Sequence, residues 1–195
     1  MTLSAGGDAP KENDEEDATM TTTARFLAWS TVLAVASVFG SLAFACVFPF
    51  AALATIAALT TDRRGGLFLV LAVWLANQAV GFGLLDYPRD ASSIGWGLAL
   101  GAATIAAYVT ARLIVERGDR LVSPRSVAGL AAAFVTYEGL LFAYALFAGG
   151  TETFAPAIVA GIALNDAAWF VALCALRLAC TRFAAPVFGR HPAFG

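Results

Sequence analysis

From Arg25 onward, long apolar runs alternate with short clusters of charged residues, and this alternation constrains the fold more than any other feature. Four runs are clear: about 66–85, 93–115, 126–149 and 154–178. Each is long enough to cross the roughly 30 Å hydrocarbon core of a bilayer as a helix. Only 13% of the residues are charged, about half the share found in soluble domains. The sequence therefore predicts an all-α integral membrane protein.

The stretch 26–61 is more difficult to divide into helices. As one helix it would be about 54 Å long, far more than the hydrocarbon core requires. Pro49 can end one helix and start another, which gives two helices at about 26–47 and 49–61. Both helices would be short, and the second is expected to be a short or re-entrant element.

The distribution of basic residues supports six helices with both termini in the cytoplasm. Under that topology, eleven of the twelve Lys and Arg residues lie inside and only Arg89 lies outside, which is a strong positive-inside pattern. With five spans the pattern breaks, because Arg25 and Arg63 fall on opposite sides. The predicted organisation is a disordered acidic tail (1–24), a six-helix transmembrane domain (25–180) and a short cytoplasmic C-terminal tail (181–195), in the plasma membrane.

Polar side chains recur at a similar depth in three of the apolar runs. Asn77 and Gln78 lie near the middle of one run, Glu138 in a second, and Asn165 with Asp166 in a third. Carboxyl groups are costly in contact with lipid, so these residues are expected to face the bundle interior. Nearby aromatic residues share their helix faces. The candidate ligand-binding residues are Trp74, Asn77, Gln78, Tyr137, Glu138, Asn165, Asp166 and Trp169.

Two interpretations of these polar residues remain open. They can line one cavity for a small ligand with a flat apolar part and a polar edge, or they can hydrogen-bond between helices as structural contacts. Three other aromatic residues near predicted span ends, Trp29, Tyr87 and Trp96, are interpreted as interfacial anchors.

Small residues recur at helical spacing in two places. One ladder comprises Ala36, Ser37, Gly40, Ser41 and Ala45, and the other comprises Gly97, Gly101, Ala103, Ala107 and Ala111. Such ladders let helices approach closely in a membrane. Each ladder serves either internal packing or docking to a partner membrane protein.

Enzyme signatures are missing from the sequence. There is no phosphate-binding loop ending in Lys-Ser/Thr and no Gly-x-Ser-x-Gly motif. The only histidine is His191, and Cys46, Cys174 and Cys180 lack metal-ligand or redox spacing. We therefore expect no catalytic activity, no metal and no cofactor, and no basic stripe for nucleic acid is present.

The layout resembles the substrate-binding S components of energy-coupling factor vitamin transporters. That family has six helices with both termini inside, a Pro-containing turn after the first span, and a short second helix before an Arg/Gly-rich loop. CVFPFAALATIAALTTDRRGG, residues 46–66, has this form. The resemblance is architectural and covers about residues 26–178. It implies docking of the small-residue face at positions 36–45 to a transmembrane coupling subunit that works with ATPases.

Two functions follow as alternatives. The first is a membrane-embedded binding subunit for uptake of a small vitamin-like or cofactor-precursor molecule. The second is a small polytopic scaffold or assembly protein without a transported ligand. A third, a proton-coupled carrier using Glu138 and Asp166, would require a dimer at this chain length.

Overall fold

The computed structural model describes residues 24, 27–32, 35 and 48–183, and the regular structure in these residues is entirely helical. Residues 27–32 are helical. Most of the predicted first helix lies outside the described residues, as do the predicted N-terminal tail except Ala24 and the predicted C-terminal tail except residues 181–183, which continue the last described helix. The helices with defined bounds are α1 (Phe50–Thr60), α2 (Arg63–Gly83), α3 (Ala91–Ile114), α4 (Pro124–Ala148) and α5 (Pro156–Phe183), with a short 3-10 helix at Thr151–Phe154.

Helices α2 to α5 are long and apolar enough to cross a membrane, which confirms the four clear apolar runs. Their ends carry ordinary helix signals: the Asp90 carboxylate accepts a hydrogen bond from the Ser93 amide at 2.7 Å, and Ser123 forms a capping box with Ser126. Large apolar side chains on these helices point away from the protein, as Phe147 does with 90% of its surface exposed. That pattern suits lipid contact.

Helix α1 occupies the centre of the bundle. Every residue from Phe50 to Leu59 is buried, and α1 packs against all four long helices. Its 11 residues make it about 16 Å long, roughly half the hydrocarbon thickness. The predicted short helix is therefore confirmed as an element. A helix that is apolar on all sides is typically a buried one, and α1 is enclosed by protein on every side.

The small-residue ladder of α3 faces inward. Gly97, Gly101, Ala103, Ala107 and Ala111 are all buried. At Gly101 an added Cβ would come within 2.6 Å of the Trp74 ring, so the absence of a side chain there makes room for the indole. The Trp74 indole N–H also donates to the Gly97 carbonyl at 2.9 Å. This ladder serves internal packing, one of its two predicted roles.

The described residues before α1 contact its C-terminal end. The Trp29 indole N–H donates to Thr60 Oγ1 at 3.1 Å, and the Arg177 guanidinium lies 4.7 Å from the Trp29 ring centre, within cation–π range. The predicted docking residues Ala36, Ser37, Gly40, Ser41 and Ala45 lie outside the described residues. The six-span count and the cytoplasmic termini stay predictions.

Candidate functional site

A cleft of about 320 Å³ lies between α2 and α3, near the loop that joins them. Aromatic rings and small residues form most of its wall, and two carboxamides and a hydroxyl supply the polar atoms. The lining residues are Asn77, Gln78, Gly81, Phe82, Tyr87, Pro88, Ser93, Trp96, Gly97 and Leu100. Of the predicted ligand-binding residues, this lining includes Asn77 and Gln78.

The loop after α2 folds back over the end of that helix and shapes the mouth of the cleft. Asp86 adopts a left-handed backbone with φ of 51°, a conformation in which a non-glycine residue is uncommon. The Tyr87 amide then donates to the Gly81 carbonyl at 3.1 Å. The Tyr87 ring lies so close to Gly81 that an added Cβ would be 2.9 Å away. Gly81 therefore lets the tyrosine ring reach the cleft wall.

Two further contacts fix the aromatic wall. The Tyr87 ring stands edge-on to Phe82, with centroids 6.3 Å apart, and Trp96 stands edge-on to Tyr144 at 4.9 Å. Such edge-to-face pairs are a favoured arrangement of aromatic rings. Tyr87 and Trp96 were predicted to be interfacial anchors, and their position on the cleft was not predicted. The glycines at positions 81 and 97, which allow close approach, were the available signal.

The carboxamides of Asn77 and Gln78 contact each other. Gln78 Nε2 donates to Asn77 Oδ1 at 3.4 Å, although neighbouring helical residues point about 100° apart. The other amide atom, Gln78 Oε1, faces Gly97, where an added Cβ would lie 2.5 Å from it. Both side chains are half-buried. The pair therefore presents a polar edge on a wall that is otherwise mostly apolar.

The buried acidic residues lie elsewhere, at the beginning of α1. Asp166 Oδ1 accepts a hydrogen bond from the Ala52 amide at 2.9 Å, and Asp166 is 2% exposed. An amide in the first turn of a helix has no partner within the helix, and a negative charge there also favours the helix dipole. Asp166 thus acts as an N-terminal cap supplied by another helix.

Two more predicted residues surround this end of α1. Tyr137 and Glu138 are both buried, and the Tyr137 ring lies 5.7 Å from the ring of Phe50. Asp166 lies within electrostatic range of both Tyr137 and Glu138. Asp166 and Tyr137 therefore both contact the first turn of α1, and Glu138 lies within electrostatic range of the two.

The other end of α1 is held by a positive charge. The Arg112 guanidinium on α3 donates to the carbonyl of Ala58 and, at 3.3 Å, to that of Thr61. The Gly118 amide adds a bond to the Leu59 carbonyl at 3.1 Å. Carbonyls at a helix C-terminus lack partners within the helix and favour a nearby cation. From the sequence, Arg112 is one of the eleven basic residues predicted to lie inside, and its contact with α1 was not predicted.

The structure thus divides the predicted site residues into two groups. In the described part of the chain, α2 packs against α1 and α3 and makes no close approach to α4 or α5. Asn77 and Gln78 therefore belong to the cleft, and Trp74 holds α2 to α3 beside it. Tyr137, Glu138 and Asp166 belong to the α1 terminus.

The two remaining predicted ligand-binding residues lie on α5. Asn165 and Trp169 are half-buried, and each has interactions within the protein. Among the residues that the structure describes, no group of three His, Cys, Asp or Glu side chains is placed to hold a metal ion.

Comparison of the chain with protein-family models, curated proteins and solved structures finds no match.

Proposed function

We propose that this chain is a membrane-embedded binding subunit for uptake of a small vitamin-like or cofactor-precursor molecule. It would act as a multi-pass protein of the bacterial inner membrane, with a transmembrane coupling subunit and ATPases as partners. The observation that carries the proposal is the cleft between α2 and α3, in which two carboxamides meet three aromatic rings.

The size and chemistry of the cleft support a small-molecule ligand. Its volume of about 320 Å³ is at the lower end of the range for ligand pockets, which are mostly apolar with a few polar groups that orient the ligand. The Phe82, Tyr87 and Trp96 rings provide the apolar surface, and Asn77 with Gln78 provides the orienting edge.

Helix α1 supports transport over a purely structural role. It is too short to cross the hydrocarbon core, and its N-terminus lies beside the buried carboxylate of Asp166. Discontinuous helices that end within the membrane recur in transporters, where irregular backbone lines a cavity.

Mass spectrometry of the protein purified in mild detergent tests the proposal. We expect the natural protein to release one small molecule per chain when it is denatured. Much less should be released from Trp96→Ala, which removes the largest ring of the cleft. Leu98→Ala is the matched control, because Leu98 lies on the same helix with 60% of its surface exposed.

The alternative function, a scaffold without a transported ligand, makes the opposite prediction. No molecule would be released from any variant, and Trp96→Ala would change only the thermal stability. That result would overturn the proposed function. Equal release from Trp96→Ala and Leu98→Ala would also overturn it, because the ligand would then lie outside the cleft.

A further inference from the structure

We infer that the cleft selects an uncharged planar ligand whose edge carries an amide or lactam group, with a C=O acceptor beside an N–H donor. This inference rests on the proposed function and names the ligand class of the same site. It follows from the hydrogen-bonding atoms that remain free in the cleft, from the absence of charge on its wall, and from its rings.

The free atoms of the carboxamide pair define the polar edge. The contact between Gln78 Nε2 and Asn77 Oδ1 uses one donor and one acceptor. Asn77 Nδ2 and Gln78 Oε1 take no part in this contact, and among the described residues the contact is the one side-chain hydrogen bond that the pair makes. A side-chain amide supplies two N–H donors and one carbonyl acceptor. The pair therefore offers a donor next to an acceptor, which is complementary to the C=O and N–H of an amide or lactam.

The wall of the cleft carries no ionised side chain among the residues that line it. The nearest cation along the chain, Arg89, donates to the Phe82 carbonyl at 3.1 Å. The Asp90 carboxylate is held by the Ser93 amide. Because no cationic side chain is among the lining residues, a ligand carboxylate or phosphate would not be paired with a charge on this wall, and desolvation of an unpaired anion is unfavourable. The wall therefore disfavours anionic ligands.

The rings and glycines of the cleft favour a flat shape. Trp96 is held edge-on by Tyr144, so its ring face has a fixed direction. The Gln78 amide lies against Gly97 and the Tyr87 ring lies against Gly81, so both groups sit close to the helix backbones that form the wall. A planar ring can stack on an aromatic face of this cleft, whereas a branched aliphatic molecule gains no stacking contact.

The test uses three probes that share one ring: pyridine-3-carboxamide, its N,N-dimethyl derivative and pyridine-3-carboxylate. Binding to the full-length protein in detergent is followed by tryptophan fluorescence and by ligand-observed NMR. We expect the carboxamide to bind at least tenfold more tightly than the carboxylate. The dimethyl amide, which lacks the N–H donor, should bind a few-fold to about tenfold more weakly than the carboxamide, as loss of one neutral hydrogen bond predicts.

Two variants assign the preference to the polar edge. Gln78→Leu removes the acceptor for the ligand N–H, so the carboxamide and the dimethyl amide should bind within about twofold of each other. Leu98→Ala should keep the original preference. If the carboxylate binds as tightly as the carboxamide, or if Gln78→Leu keeps the preference, the inferred ligand class is wrong.

The proposed function is judged separately, by the molecule that co-purifies with the protein. An anionic molecule whose release depends on Trp96 would support a binding subunit and overturn the uncharged-ligand inference. Failure of all three probes to bind at millimolar concentration would overturn the inference as well. Neither result would change the outcome of the co-purification experiment.

Discussion

Replacing Asp166 with alanine should destabilise the protein through α1 rather than through a ligand. The substitution removes the carboxylate oxygen that lies 2.9 Å from the Ala52 amide. That amide is in the first turn of α1, where every residue from Phe50 to Leu59 is buried. With the cap removed, the amide has no water to replace the lost partner.

The expected magnitude follows from the type of bond. Removing the acceptor of a buried N–H donor costs about 1–3 kcal/mol, and Asp166 is only 2% exposed, so water does not replace the lost acceptor. For a chain of this length, about 1 kcal/mol corresponds to a change in Tm of about 2–4 °C. Asp166→Ala should therefore lower Tm by about 2–12 °C. Asp166→Asn keeps an acceptor oxygen and loses only the interaction with the helix dipole, so it should cost less, about 0.3–2 kcal/mol.

The assay is thermal unfolding of the purified variants in one detergent, with no added ligand. Glu152→Ala is the matched control, because it removes one exposed carboxylate just before the same helix. The reasoning is refuted if Asp166→Ala unfolds at the same temperature as Glu152→Ala. Equal losses for the alanine and asparagine variants would show that the charge matters and the hydrogen bond does not.

Three further predictions concern topology, packing and pH. In a cysteine-free background, single cysteines at positions 63 and 86 should be labelled from opposite sides of the membrane, because α2 separates them; labelling from one side would refute the six-span topology. Gly101→Ala should lower Tm, because the new Cβ would lie 2.6 Å from the Trp74 ring. In the control Gly139→Ala the new Cβ meets nothing within 4 Å, so Tm should stay unchanged or rise through the better helix propensity of alanine. Equal effects of the two substitutions would contradict the packing argument. The hydrogen bond from the Ser93 amide lowers the pKa of Asp90. The Asp90 carboxylate therefore stabilises the fold above its ordinary pKa of about 4, and this contribution is lost as the pH falls through the lowered pKa. The difference in Tm between the natural protein and Asp90→Asn should shrink between pH 7 and pH 3, and a constant difference would exclude this role.

The long helices could be predicted from the sequence because their signals are local. Apolar runs of about 20 residues end at Pro, Gly or charged clusters, and the observed bounds of α2 to α5 lie within a few residues of the predicted ones at most ends. Pro49 marked the beginning of the short helix in the same way. What could not be predicted was the burial of α1, since an apolar, alanine-rich surface is equally compatible with lipid and with protein.

The candidate site was only partly predictable, because the sequence indicates how deep a residue lies in the membrane but not which helices are neighbours or which way each helix face points. Asn77 and Asp166 share an approximate depth, but α2 and α5 do not pack against each other in the described part of the chain. The angular position of each helix depends on tertiary contacts such as Trp74 against Gly101. Arg112 was overlooked for a related reason, because a charge count assigns it to a side of the membrane and cannot indicate that it reaches the end of α1.

The capping of α1 has a consequence for the order in which the protein is made. A ribosome synthesises α1 before any of the four helices that bury it. The Arg112 that holds its C-terminus comes 54 positions after Ala58, and the Asp166 that holds its N-terminus comes 114 positions after Ala52. Until then the first-turn amides of α1 lack this partner, which is unfavourable in hydrocarbon. The Ala52 amide therefore gains its partner only when α5 is made, so a nascent chain that stops before residue 166 lacks this cap on α1.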